Sequence, residues 1–221
     1  MSPNQEPPDR YEGTPKRLSL PSGTRLTRVH SARFAVTEFN PTLARNLMTG
    51  GRFDATPADE YAFLYAAGDD MTAVSEALLR DLPIDERGAR LLPRVRLADL
   101  RISWLVTTVD IKVVTLRSGQ DLASVGQDAW LTVAPAAEYP VTRRWASAIR
   151  GWTPWAAGLT WRSLREPAGL AFVFFSDRCP ADAFVELTDN LPVPAGEQEL
   201  YAGPARIYVE EILTHYRVTL M

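Results

Sequence analysis

The segment from residue 61 to residue 82 predicts a buried strand followed by a tight turn and a helix. Along 61–67 aromatic residues alternate with aliphatic ones, which is typical of a strand packed on both faces. After this strand and the turn Gly68-Asp69-Asp70, four apolar residues follow at helical spacing: Met71, Val74, Leu78 and Leu82. Asp69 or Asp70 can cap the helix, because a carboxylate there accepts a backbone N–H. The chain must therefore fold around a strand, turn and helix unit whose strand is buried.

Other segments rich in β-branched and aromatic residues predict further strands at 101–109, 111–116, 170–175, 206–212 and 214–220. A second helix is predicted from Pro140, which suits a first helical turn, to Gly151, with Trp145 and Ile149 on one side. Strands and helices do not alternate strictly, which argues against a doubly wound sheet. We therefore predict an α+β fold of mixed β-sheets with a few helices.

The composition fits one folded domain. The chain has 221 residues, of which 46% are hydrophobic and 23% are charged, as in ordinary globular proteins. Residues 1–23 contain five prolines and no periodic apolar positions, so we predict a mobile leader or a strap outside the core, followed by one domain at 24–221. This leader lacks the apolar region of a secretory signal, and no stretch reaches the roughly 18 apolar residues of a membrane helix. We expect a cytoplasmic protein that does not contact a membrane.

Several chemistries are excluded by what the sequence lacks. The single cysteine, Cys179, cannot form an internal disulfide, and His30 and His215 are too far apart in sequence to suggest a zinc site. Neither common glycine-rich phosphate loop occurs, and there is no G-x-S-x-G motif of serine hydrolases. The net charge of −3 argues against binding to a phosphate backbone through bulk electrostatics. We expect no metal and no direct binding of nucleic acid.

Five polar residues stand among small or apolar neighbours along the chain: Arg28, Arg52, Tyr65, Glu76 and Ser163. In order and context they resemble the RES domain family, which is named for its arginine, glutamate and serine. The resemblance runs from about residue 25 to residue 178. Its motifs are Gly-Gly-Arg-Phe at 50–53, Leu-Tyr-Ala-Ala at 64–67, Thr-Ala-Val-Ser-Glu at 72–76, Tyr139 with 142–146, and the serine motif at 158–163.

The sequence departs from the family pattern at two places. Thr27 stands where the family often has an aromatic residue, just before the first arginine. Asp54-Ala55-Thr56 replaces the commoner Asn-Pro-Pro after the Gly-Gly-Arg-aromatic motif. Both departures are expected at the rim of the pocket, where they bear on substrate details.

The resemblance implies a fold similar to that of ADP-ribosyltransferases and an activity that consumes NAD. Characterised relatives are toxins of two-gene systems, and each is neutralised by an antitoxin with an Xre-type helix-turn-helix region that covers the active site. They break NAD down with water or phosphate as the acceptor, or they transfer ADP-ribose to a protein. The expected partners are thus NAD and such an antitoxin, with a homo-oligomer left open. No metal and no further cofactor are expected, because NAD is itself the substrate.

The resemblance also assigns roles to particular residues. Breaking the bond between nicotinamide and ribose creates positive charge on the sugar, and Glu76 is the carboxylate expected to stabilise it. Arg28 and Arg52 are expected to bind phosphate oxygens, with the Gly50-Gly51 backbone approaching closely. Three more residues are expected at the ligand: Tyr65 at the nicotinamide, Ser163 at a ribose or the amide, and Tyr139 as a supporting side chain.

Plainer interpretations exist for the same residues. Arg80 follows Glu76 by four positions on the predicted helix, so an exposed ion pair is an alternative role for both. The arginines are alternatively surface residues, the two glycines a plain turn, and Tyr65 a core aromatic. Three functions therefore remain open: an NAD-degrading toxin, a protein ADP-ribosyltransferase, and an inactive binding module of the same fold.

Overall fold

A computed structural model describes residues 6–45, 50–80 and 82–221. In chain order its strands are β1 (Arg17–Leu20), β2 (Arg25–Ser31), β3 (Phe63–Ala67), β4 (Arg90–Leu92), β5 (Leu100–Thr107), β6 (Ile111–Leu116), β7 (Gly158–Arg162), β8 (Leu170–Phe175), β9 (Phe184–Glu186) and β10 (Val218–Leu220). The α-helices are α1 (Asp70–Leu78), α2 (Gly119–Ala123), α3 (Trp130–Val133), α4 (Tyr139–Trp152) and α5 (Gly203–Thr214). Two short 3₁₀ helices lie at Arg94–Leu97 and Ala136–Glu138.

Eight strands form one sheet in the order β1-β6-β7-β8-β3-β2-β5-β9. Neighbours in it are antiparallel, apart from the parallel pair β6 and β7. The strands β10 and β4 form a separate parallel pair. This mixed arrangement with five helices in the described residues confirms the predicted α+β class.

Both faces of the sheet are covered, as the alternating pattern in 61–67 predicts. On one face α4 packs against β6, β7 and β8, and Trp145 and Ile149 are buried there. Phe63 of β3 belongs to this cluster, whereas Leu64 and Ala66 belong to the cluster on the other face. Because successive strand residues point to opposite faces, β3 contributes to two cores. The predicted start of α4 is also confirmed, since Pro140 lies in its first turn.

Helix α1 begins directly after β3, where two aspartates fix its start. The side chain of Asp69 accepts a hydrogen bond from the backbone N–H of Thr72, so Asp69 is the cap. Asp70 accepts hydrogen bonds from the side chains of Thr27, Trp104 and Tyr208. These bonds tie the first turn of α1 to β2, β5 and α5.

The helix is shorter than the apolar stripe indicates. It ends at Leu78, whereas the prediction extends to Leu82, and residue 81 lies outside the described residues. Leu82 is nonetheless buried, because the chain after the helix stays against the same core. Glu76 lies on the opposite side of α1 from Val74 and Leu78, which are buried.

The strand predicted at 206–212 is wrong, because these residues lie in α5. Ala205, Val209, Ile212 and Leu213 are its buried residues, and their spacing of three and four is that of a helix face. Helical packing against the core therefore outweighs the β-branched composition of the segment. Of the strand predicted at 214–220, only Val218–Leu220 is extended.

The segment before residue 24 differs from the expectation that it lies outside the core. Residues 17–20 form the edge strand β1, paired with β6, and Leu20 is buried. Earlier in the segment, the Tyr11 ring stacks on Trp152 with centroids 4.3 Å apart. The predicted boundary at residue 23 therefore separates β1 from the sheet to which it belongs, and the strap alternative stays a prediction. Mobility of the leader stays a prediction, and residues 1–5 lie outside the described residues.

None of the helices in the described ranges combines the length and the apolar character that a membrane crossing requires.

Candidate active site

A cavity of about 190 Å³ opens between β2, β3 and α1, beside the start of α4. Five of the residues singled out from the sequence line it together: Arg28, Arg52, Tyr65, Glu76 and Tyr139. They come from four separate elements and one loop, so their proximity is a product of the tertiary fold. Two other predicted residues, Gly51 and Ser163, lie behind this lining.

Ser163 lies behind Glu76 and holds it. The hydroxyl Oγ donates to Glu76 Oε1 at 2.5 Å, and it accepts the backbone N–H groups of Arg165 and Glu166 at 3.1 and 3.0 Å. A serine hydroxyl has one donor and two acceptor positions, so all three are used. Ser163 is also only 2% exposed. Its geometry is that of a residue that acts through Glu76, rather than one that touches a ribose or an amide directly.

Gly51 lies in a tight loop that brings Arg52 to the cavity. Its N–H donates to Asp54 Oδ2 at 2.6 Å, so this amide is turned inward instead of toward the cavity. A Cβ on Gly51 would lie 2.6 Å from Asp54 Oδ1 and 2.8 Å from the Tyr65 hydroxyl oxygen, which is too close for any side chain. The preceding Gly50 has a φ of +91°, a backbone conformation that favours glycine.

The same loop is fixed from α4. Thr142 Oγ1 donates to the carbonyl of Arg52 at 2.7 Å, and Arg143 Nε donates to the carbonyl of Gly51 at 3.0 Å. Both side chains are buried. The motif at 142–146 therefore supports the loop that carries Arg52, and none of its side chains is among the residues that line the cavity.

Tyr65 presents its ring to the cavity while its hydroxyl is engaged by the protein. The hydroxyl donates to Asp54 Oδ1 at 2.8 Å and accepts the N–H of Phe53 at 3.1 Å. Burial raises the pKa of Tyr65 well above its usual value, and burial also raises the pKa of Asp54. The phenol therefore stays protonated at neutral pH. The residue that departs from the family pattern, Asp54, is the one that orients both Tyr65 and Gly51.

Arg52 projects from the loop and is partly buried. Its guanidinium lies 5.1 Å from the centroid of the Tyr139 ring, and Nη1 donates to the carbonyl of Ala134 at 2.9 Å. Burial lowers the pKa of Arg52. Tyr139 is thus the aromatic support of this guanidinium, a cation–π arrangement that holds the charge at the cavity.

Arg28 lines the cavity and is 4% exposed. Its Nη1 donates to the carbonyls of Val36 and Glu38 at 2.8 and 3.0 Å, while the buried Nε has no partner. Burial lowers the pKa of Arg28 to about 10, so the side chain is still charged at neutral pH. The surface alternative is therefore wrong for Arg28.

Arg80 and Trp161 also line the cavity, and sequence reasoning missed both as site residues. An exposed ion pair with Glu76 was the alternative role considered for Arg80. In the described residues no such ion pair is found, and Arg80 is partly buried with its guanidinium 5.8 Å from the centroid of the Tyr139 ring. Its position four residues after Glu76 is the only sequence signal that could have found it.

The described residues contain no group of three His, Cys, Asp or Glu side chains that could hold a metal ion. His30 is buried, and its Nε2 is hydrogen bonded to Ser103 Oγ at 3.0 Å. Burial and the nearby charge of Arg28 lower the pKa of His30 to about 3, so the imidazole is neutral.

Comparison with known proteins identifies the family of the chain and a solved structure with the same fold. No curated protein matches the sequence. A chain of the M. tuberculosis MbcT-MbcA toxin-antitoxin complex shares the fold, with a TM-score of 0.50 and 15% sequence identity. The match covers 76% of this chain and 86% of that one, and the structure confirms the predicted single domain of mixed α+β class. The RES domain matches the sequence over residues 25–195, so the chain belongs to the RES domain family.

Proposed function

We propose that this protein is an NAD-consuming enzyme that cleaves the bond between nicotinamide and ribose, and that it is toxic to its cell when nothing restrains it. Family membership supports the NAD substrate. The observation that carries the proposal is the carboxylate of Glu76, which lines the cavity while Ser163 holds one of its oxygens.

The chemistry requires a fixed negative charge beside the ribose. As the bond from the anomeric carbon to the nicotinamide nitrogen breaks, its electron pair goes to the nitrogen, and the ring of nicotinamide becomes neutral. Positive charge then develops on the sugar. A carboxylate that is already positioned stabilises this charge without reorganisation, which is the largest contribution in many enzymes. The acceptor oxygen then adds to the anomeric carbon; a water loses one proton in that step.

The other cavity residues fit the rest of an NAD molecule. Arg28 and Arg52 remain charged within the cavity and can donate to phosphate oxygens. The rings of Tyr65, Tyr139 and Trp161 form aromatic walls suited to flat heterocycles. Ser163 and Gly51 would act indirectly. Ser163 positions the carboxylate of Glu76, and Gly51 shapes the loop that carries Arg52.

A protein partner completes the proposal. The similar chain comes from a toxin-antitoxin complex, so we propose that an antitoxin with a helix-turn-helix region restrains this enzyme in the cytoplasm. Co-expression with the product of a neighbouring gene should abolish toxicity. If neither adjacent gene product binds the purified protein, this part of the proposal is wrong.

The test is the concentration of NAD over time with purified protein, with and without inorganic phosphate. We expect Glu76→Gln to slow NAD loss at least about a hundredfold, as removal of a charge-stabilising group does. Glu86→Gln is the matched control, because Glu86 is exposed and lies outside both the cavity lining and its supports.

The products separate the acceptors. Free ADP-ribose identifies water, phosphorylated ADP-ribose identifies phosphate, and a labelled protein in a lysate identifies a transferase. Equal NAD loss by Glu76→Gln and the parent would exclude the proposed role of Glu76. A complete lack of NAD loss and of labelling would favour an inactive binding module.

A further inference from the structure

The loop after β7 carries Ser163 and borders the proposed active site. Two of its residues, Leu164 and Arg165, line a second cavity of about 250 Å³ beside the first, and Glu76 lines both cavities. Within this loop Ser163 Oγ accepts two backbone N–H groups, those of Arg165 and Glu166. The same hydroxyl donates to Glu76. The position of the carboxylate therefore depends on where this loop is held relative to α1.

Hydrogen bonds join this loop to distant parts of the chain. Arg165 Nη2 donates to the backbone carbonyl of Arg80 at 2.5 Å, which joins the loop to the segment just after α1. The hydroxyl of Tyr216 donates to Glu166 Oε2 at 2.7 Å, which joins the loop to the C-terminal segment between α5 and β10. Tyr216 and Glu166 are both partly buried. The C-terminal segment therefore contributes to the position of the loop.

Tyr216 keeps its bond to Glu166 at neutral pH. Burial and the carboxylate of Glu166 raise the pKa of Tyr216, so the phenol retains its proton and remains the donor. A hydrogen bond to a charged acceptor is stronger than one between two neutral groups. Ser75, which directly precedes Glu76 on α1, also contacts this phenol. Tyr216 therefore lies where the loop meets the helix that carries the carboxylate.

Three linked hydrogen bonds lead from Tyr216 to the carboxylate. Tyr216 holds the side chain of Glu166, and the backbone N–H of Glu166 donates to Ser163 Oγ at 3.0 Å. Ser163 then donates to Glu76 Oε1 at 2.5 Å. Linked hydrogen bonds orient and polarise one another, so the loss of one affects the next. Tyr216 also follows residue 195, where the match to the RES domain ends, so the family motifs do not identify it.

We propose that Tyr216 is a positioning residue for the carboxylate of Glu76. It acts through the side chain of Glu166 and the hydroxyl of Ser163. This role rests on the proposed function, in which the carboxylate stabilises charge on the ribose. Tyr216 is among the lining residues of neither cavity, so its effect on the reaction is indirect. Its hydroxyl keeps the loop in place, and the loop keeps the carboxylate in one orientation.

The first experiment removes this hydroxyl in Tyr216→Phe and measures NAD loss over a range of NAD concentrations. We expect kcat to fall about threefold to tenfold with little change in KM, because the carboxylate acts mainly in the transition state and one bond that supports its position is lost. Tyr201→Phe is the matched control. Tyr201 is exposed and lines neither cavity, so this variant should keep the kcat of the parent.

A double mutant separates positioning from a general loss of stability. In the Ser163→Ala background the path from Tyr216 to Glu76 is already broken, so Tyr216→Phe should lower kcat no further. An effect through another part of the protein would give the same relative decrease in both backgrounds.

Glu166→Gln tests the same hydrogen bond from its other end, and it replaces Tyr216→Phe if that variant does not fold. Glutamine keeps an acceptor oxygen but loses the charge. Its kcat should therefore lie between those of Glu166→Ala and the parent.

A measurement without NAD tests the link to Ser163 directly. Hydrogen exchange of the backbone N–H groups of Arg165 and Glu166, followed by NMR, reports whether Ser163 Oγ still accepts them. We expect both amides to exchange faster in Tyr216→Phe than in the parent, while amides of the central strands do not change.

An unchanged kcat in Tyr216→Phe would overturn the inference, and so would unchanged exchange of both amides or equal decreases of kcat in both backgrounds. Failure of the proposed function is a different result, namely no loss of NAD with the parent. The exchange rates would then still decide whether Tyr216 holds the loop.

Discussion

Replacing Ser163 with alanine tests how the carboxylate of the proposed active site is held. The hydroxyl makes three hydrogen bonds, of which the one to Glu76 Oε1 is the shortest at 2.5 Å. Hydrogen bonds to charged groups contribute about 1.5 to 3 kcal/mol. If that energy is used to keep Glu76 in its catalytic position, its loss slows the reaction about tenfold to a hundredfold.

The assay is the initial rate of NAD loss over a range of NAD concentrations. We expect the decrease mainly in kcat, because a carboxylate that stabilises charge on the ribose acts in the transition state more than in substrate binding. We also expect the free energy of unfolding to fall by about 1 to 3 kcal/mol, because the backbone N–H groups of Arg165 and Glu166 lose their acceptor.

Thr160→Val is the matched control for stability alone. Thr160 is fully buried on β7, and its hydroxyl donates to the carbonyl of Ala171 at 3.1 Å without touching Glu76. This variant should lose stability but keep its kcat, whereas Ser163→Thr, which retains the hydroxyl, should recover part of the activity lost in Ser163→Ala. Unchanged kcat in a destabilised Ser163→Ala variant would refute the positioning role.

Two further substitutions test the loop and the core. Gly51→Ala should reduce both activity and the melting temperature, because its Cβ would lie within 3 Å of the carboxylate of Asp54 and the hydroxyl of Tyr65. Gly151→Ala is the control: its Cβ would meet nothing within 4 Å, so activity and melting temperature should not fall. His30 stays neutral when folded because burial lowers its pKa to about 3, whereas the unfolded chain takes up a proton below about pH 6.5. Stability is therefore lost as the pH falls, by about 2 kcal/mol between pH 8 and pH 5 from this residue. Denaturant unfolding at both pH values should show a smaller loss in His30→Gln, and an equal loss would contradict the argument.

Sequence signals located the central strands and the long helix. The strands predicted at 111–116 and 170–175 match β6 and β8 in their bounds, and the helix predicted from Pro140 is α4. These signals are local: a run of β-branched and aromatic residues, or a proline followed by helical periodicity, determines the backbone conformation within a few residues. The order of the family motifs was equally available from the sequence.

Where local signals conflicted with packing, the sequence was misleading. Residues 206–212 are β-branched and aromatic enough for a strand, yet their apolar positions also suit one face of a helix, and burial in α5 decided between the two. Residues 17–20 alternate polar and apolar side chains over only four positions, which is too short a pattern to predict a strand, and pairing with β6 makes them one.

The sequence by itself determined which chemical groups were present: one glutamate, two arginines, two tyrosines and one serine, in the order of the family. The tertiary structure alone decided what each group does. Ser163 and Glu76 are 87 positions apart, and their contact exists because the chain after β7 returns to α1. Arg80 faces the cavities because the chain turns after α1 ends at Leu78. A contact between distant residues depends on how whole elements pack, and no local pattern in the sequence records that packing.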